Sequence, residues 1–197
     1  MFLVTGVFVS ARAASEDKSL PKVGPVKMNP HPISLEGKTV LLRWNGKFNG
    51  DKFLNRVGEL LTQQVKNVRV IKMWEVDSST AVISKNAEVS SQVTEKISKL
   101  KPDIVIAAQA DWGICTSWLV VDQLNLEKRG IPTVTIVTTA FQELIKSTMK
   151  DQGVSEMAIV MVEHPIAGHN LEGIRKKVDS AFPVILKAAT QWQAGKK

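Results

Sequence analysis

The sequence predicts a three-layer α/β domain built on a five-stranded, mainly parallel sheet. Three observations carry that expectation. Short apolar runs alternate with longer amphipathic ones, five times over from Thr39 onward. The apolar runs are largely continuous, as in strands of a parallel sheet covered on both faces. With 197 residues, 44% hydrophobic and 23% charged, the chain can fill one sizeable core.

Ahead of the repeat, residues 1–38 read as a leader and extended arm. "MFLVTGVFVSARAAS" joins an apolar stretch to small residues around "ARA", the pattern of a signal peptide over residues 1–14, but no Lys or Arg precedes the apolar part. It reads equally as an export signal or as a leader without that role. The expected location is cytoplasmic, or exported if residues 1–14 act as a signal. "SEDKSLPKVGPVKMNPHPISLEGK" is rich in Pro, Lys and Ser, which argues for an extended arm.

Residues 39–197 form the expected domain. "TVLLRW" reads as the first strand. "DKFLNRVGELLTQQVKN" reads as a helix with Phe53, Leu54, Val57, Leu60 and Leu61 on one face. "VRVIKMW" is the second strand, and "NAEVSSQVTEKISKL" a helix with Val89, Val93 and Ile97 at spacing four. "PDIVIAAQ" is the third strand. A helix then runs from about Cys115 or Thr116 to Lys128, where Arg129, Gly130 and Pro132 stop it. "PTVTIVTT" is the fourth strand, "AFQELIKSTMKDQG" a helix and "EMAIVMV" the fifth strand. A last helix spans Leu171 to Trp192, and Pro183 is expected to kink or break it. At this size the common arrangement is flavodoxin-like (Rossmann-like), strand order 2-1-3-4-5.

Composition narrows the function classes. The net charge is +7, but the lysines are scattered and form no arginine stripe with aromatic interleaving. Small anions are thus favoured as partners over nucleic acid. One cysteine excludes an internal disulfide and a CxxC zinc site. His31, His164 and His169 show no metal-ligand spacing, so neither a metal nor a cofactor is expected. No run reaches the roughly 18 apolar residues of a membrane span, and no membrane partner is expected.

In a sheet of this order the site lies beyond the carboxyl ends of the strands, between strands one and three. Those ends open into "WNGKFNGD", "QADWGICTSW", "VTTAF" and "EHPIAGHN", all carrying polar or nucleophilic groups. Cys115 is either a buried inert thiol or a thiolate at a helix start, where free N–H groups and the positive dipole end lower a thiol pKa. Thr116 and Ser117 either cap that helix or bond substrate, their N–H groups included. His164 reads as an acid/base or as a loop histidine bonded to backbone. Asp111 either orients His164 or turns its loop. Lys47 can anchor an anion, with Asn45 and Asn49 offering amides; the alternative is an Asn-Gly turn with a solvated lysine. Trp112 is a candidate pocket wall, and Thr138 and Thr139 candidate linings of the crevice.

"NGKFN", "GICTSW" followed by "DQLNLEKRGIPTV", "TTAF" and "EHPIAG" together resemble the UGSC-type family. These are small relatives of the thiol- or selenocysteine-bearing B subunit of the glycine, sarcosine and betaine reductases. The family motif is selenocysteine-Gly-Ser-Cys, often with cysteine in the first place. Here Trp112, Gly113, Ile114 and Cys115 stand at those positions, so the second chalcogen is missing. A self-contained selenenyl-sulfide or disulfide pair is therefore not available. The expectation is an enzyme with Cys115 as nucleophile and His164 as acid/base, acting on a small anionic or carbonyl-containing molecule by lyase, addition–elimination or thiol-dependent reductive chemistry. An external thiol reductant and a homo-oligomer are admitted as partners. The alternative is an inactive binding relative or a subunit of a reductase-like complex.

Overall fold

A computed structural model describes residues 20–195; the signal-peptide reading of residues 1–14 lies outside them. The apolar runs form five strands: β1 (Thr39–Trp44), β2 (Arg69–Lys72), β3 (Ile104–Ala110), β4 (Thr133–Thr138) and β5 (Ile159–Val162). All pair in parallel, in the order β2-β1-β3-β4-β5, so the sheet is flavodoxin-like as the sequence predicts. The central strands β3 and β4 are buried along their whole length, hence their mostly apolar or small residues, interrupted by Gln109.

The period of two along each strand divides the core between two faces. Val40, Leu42, Ile104 and Ile106 face helices α1 (Gly50–Gln64) and α6 (Leu171–Gln191). Leu41 and Val105 face the other way, toward α3 (Ala87–Lys99) and α4 (Gly113–Lys128). α5 (Gln142–Asp151) completes that second layer. On α1 the predicted stripe of Phe53, Leu54, Val57 and Leu61 has no exposure, worth roughly 1.5–3 kcal/mol per side chain.

Three local expectations change. β2 ends at Lys72, and Met73–Val76 turn into a short helix, α2, before a 3₁₀ turn at Ser78–Thr80. α4 begins at Gly113, two residues before the predicted start. Pro183 does not break α6, which is one helix of 21 residues. Pro183 and Asp179, whose carbonyl loses its partner, both lie on the exposed face of the helix, where water satisfies the orphaned group.

The arm ahead of β1 contains no helix or strand over residues 20–38. It is fastened at Asn29, whose backbone N–H and side-chain amide donate to the Glu127 carboxylate at 2.8 and 2.7 Å. Further on, His31 packs against Trp192 and bonds the Ala188 carbonyl oxygen at 2.7 Å.

The crossover between β2 and α3 is tied to the sheet by a buried ion pair. Arg43 donates to Asp122 at 2.8 Å, and the same carboxylate accepts from Ser84 and Ser90. Arg43 also donates to the carbonyl oxygens of Val82 and Trp44. Gly46 makes this approach possible. Its φ is +77°, and a Cβ there would stand 2.4 Å from the Ala81 carbonyl oxygen.

Candidate active site

The site begins with an irregularity in β3. Ala107 pairs with Thr135, but Ala110 pairs with Val137. Three residues on one strand thus answer two on the other, which is a bulge, and the slip reverses the faces of the side chains that follow. Ala107 and Ala110 accordingly share one core cluster on the α4 side. Asp111 is thereby directed to the opposite side, where the chain leaves β5 and returns to α6.

There the buried Asp111 carboxylate organises the loop after β5. Its Oδ2 accepts from the backbone N–H of Ile166 at 3.1 Å and of Ala167 at 2.9 Å. Its Oδ1 lies 2.9 Å from Nδ1 of His164. That contact has the distance of an ion pair but not the direction of a hydrogen bond, so Oδ1 keeps a lone pair unclaimed. Nδ1 also lies 3.0 Å from the hydroxyl of Thr138, and the His164 backbone N–H donates to Thr139 Oγ1 at 3.3 Å. Phe141 meets the ring edge-on at 5.8 Å. With Nδ1 turned to these oxygens, the side chain remains 39% exposed. A proton held on Nδ1 leaves Nε2 as the basic nitrogen.

Cys115 stands on the third residue of α4 and is fully buried. Its Sγ donates to the carbonyl oxygen of Trp112 at 3.1 Å. Burial pushes the thiol up from its ordinary pKa, while hydrogen bonding to the backbone of Asp111 and Trp112 and the charge of Lys47 pull it down less strongly. The expected lowering at a helix start is therefore reversed: desolvation of the sulfur outweighs the favourable charges around it. Thr116 is equally committed, its hydroxyl and its N–H both donating to Trp112 O, at 2.7 and 3.0 Å. The unclaimed N–H groups of this helix belong instead to its first turn, Gly113 to Cys115. Ser117 is turned toward α5, 3.2 Å from the Thr148 hydroxyl.

The loop after β1 forms the opposite wall. Asn45 exchanges hydrogen bonds with the backbone of Gln109, at 2.9 and 3.1 Å, and so locks the ends of β1 and β3 together. Asn49 donates to the carbonyl oxygens of Ile166, Ala167 and His169. Both amides are buried and brace loops. Lys47 by contrast reaches out, with Nζ 5.4 Å from the centre of the exposed Trp112 ring. The structure thus gathers Asp111, His164, Thr138 and Thr139 in one cluster and Lys47 with Trp112 in another. Sequence reasoning missed Gln109, whose buried Oε1 has no partner, and Phe48, exposed on the same rim. Phe48 stands within "NGKFN", but nothing in that stretch marks its side chain; only the meeting of the two loops, where Gln109 Nε2 donates to the Phe48 carbonyl oxygen at 3.1 Å, singles the two residues out.

A family model described as UGSC family matches residues 11–191, taking in part of the arm as well as the whole sheet. No curated protein matches the chain.

Proposed function

Because the chain belongs to the UGSC family, we propose that it is a cysteine-dependent enzyme of addition–elimination type, acting on a small anionic or carbonyl-bearing molecule. The observation that carries this reading is the Asp111–His164 pair, held 2.9 Å apart at the sheet edge that also holds the chain's one thiol. In the proposed step His164 Nε2 takes the Cys115 proton. The sulfur adds to an electrophilic carbon, forming the S–C bond, and the displaced π pair moves to the neighbouring oxygen or carbon. That atom receives the proton back from His164. Where the π bond was C=C, rotation about the bond that has become single precedes elimination. Proton removal by His164 and C–S cleavage then re-form the π bond with the other geometry. Thiol and histidine return to their starting states, so no electrons are gained or lost and no outside reductant is needed. Reductive cleavage fits less well, because Trp112 occupies the place of the second chalcogen. Lys47 and the first-turn N–H groups of α4 would hold the developing negative charge.

The buried thiol sets a condition. Sγ must leave Trp112 O before it can attack, and the α4 first turn, which has no side-chain cap, is the part that yields. Full burial of Sγ also favours a second reading, a binding protein without turnover. The deciding experiment incubates the protein with small unsaturated carboxylates and aldehydes and maps mass shifts by peptide. Adducts on Cys115 that slow strongly in His164→Gln support the enzyme. Ligand binding without any adduct, unchanged in Cys115→Ser, supports the binding protein.

A further inference from the structure

Among the described residues few large apolar side chains are strongly exposed, and three of them, Phe48, Trp112 and Ile114, sit on the loop after β1 and on the loop and first helical turn after β3, which face each other. Each aromatic carries a lysine. Lys47 Nζ lies 5.4 Å from the Trp112 centroid and Lys52 Nζ 5.0 Å from that of Phe48. Lys47 makes no ion pair among the described residues, while Lys52 donates to Asn49 Oδ1 at 2.9 Å. Solvent-exposed aromatic rings cost free energy unless something covers them, and apolar patches of this kind mark binding sites. Ammonium groups at the same rings add a preference for negative charge. We propose that this rim selects an aromatic carboxylate, with the planar body on Trp112 and Phe48 and the carboxylate on Lys47.

The charge pattern favours such a ligand over a neutral one. The ammonium of Lys47 is already partly stripped of water by the indole face, so a carboxylate meeting it displaces less solvent. The first-turn N–H groups of α4 lie on the same loop as Trp112 and reinforce the sign. Ile114, on that turn, adds apolar wall. The inference refines the substrate class of the proposed function and shares its crevice, but it depends on the rim and not on the thiol.

The test compares phenylacetate, acetate and phenylethanol by calorimetry on the full chain. Phenylacetate is expected to bind at least tenfold more tightly than either of the others. Lys47→Gln should abolish the advantage of phenylacetate over phenylethanol, and Trp112→Ala its advantage over acetate; both positions are surface-exposed or half-exposed, and circular dichroism checks that the variants fold. Equal binding of acetate and phenylacetate, no binding of any probe, or a Lys47→Gln variant that still prefers the acid overturns the inference. So does a dimer in sedimentation that dissociates in Trp112→Ala, because a second copy would then cover the rim. Cys115→Ala should bind phenylacetate as the parent does. If it does and no electrophile ever labels Cys115, the catalytic reading fails while the aromatic-acid site stands. If aliphatic electrophiles label Cys115 as fast as aromatic ones, the reverse holds.

Discussion

Asp111 and His164 meet across the ends of β3 and β5, with Oδ1 2.9 Å from Nδ1, while the second oxygen of the same carboxylate holds the backbone N–H groups of Ile166 and Ala167. One buried carboxylate thus fixes both the histidine and the loop that presents it. Removing it should cost about 1.5–3 kcal/mol, the range for hydrogen bonds to charged groups. Asp111→Ala is expected to lower stability in urea by that amount and to speed hydrogen exchange at Ile166 and Ala167. Asp111→Asn, which keeps one acceptor oxygen, should lose less. An Asp111→Ala protein as stable as the parent would show that the loop holds itself.

Burial raises the pKa of Cys115. The folded value then lies above the unfolded one, so the neutral thiol contributes stability that is complete at low pH and is lost as pH rises through the folded value. Iodoacetamide should label Cys115 slowly at neutral pH, with a midpoint above that of a thiol in an unfolded peptide. Urea should accelerate labelling at pH 7 by more than tenfold. Fast labelling of the native protein at pH 7 would mean that the first turn of α4 opens freely.

Arg43 and Asp122 are both fully buried, and burial raises the pKa of the carboxylate against the pull of its partners. Breaking such a pair from one side strands a charge and costs roughly 3–5 kcal/mol. Arg43→Met and Asp122→Leu should each show that loss in chemical denaturation. The double variant should lose clearly less than the sum, because no charge is left unpaired. Additive losses would show that the two residues contribute independently.

Burial pushes His31 below the ordinary histidine value, more than its bond to Ala188 O raises it. The folded value is then under the unfolded one of about 6.5. The neutral ring contributes stability that is present above that pH and is lost as pH falls through the folded value. Urea midpoints are expected to drop between pH 7 and pH 5, and His31→Asn should flatten that part of the profile. An unchanged profile would assign the pH dependence to other groups.

Much of the fold was legible because burial writes itself into residue type. Strands covered on both faces are mostly apolar, and β3 and β4 are, with Gln109 and three threonines as their buried polar members. The edge strand β2 is shorter than "VRVIKMW" suggested, because from Met73 the chain turns helical and leaves the sheet. Pro183 misled for the opposite reason: its local penalty is real, but an exposed helix face lets water absorb it.

The sequence by itself determined the architecture and the edge on which the polar groups collect, since five alternating β and α units impose a parallel sheet with its loops at the carboxyl ends, and the strand order is the one common for such a sheet at this size. Only the tertiary structure decided what those groups do. The slip in β3 turns Asp111 toward His164, and no local propensity encodes a one-residue shift between strands. Asn45 and Asn49 became braces because carbonyl oxygens from distant loops converge on them. Cys115 became a neutral, buried thiol, because desolvation depends on everything that packs around the sulfur and not on its place at a helix start.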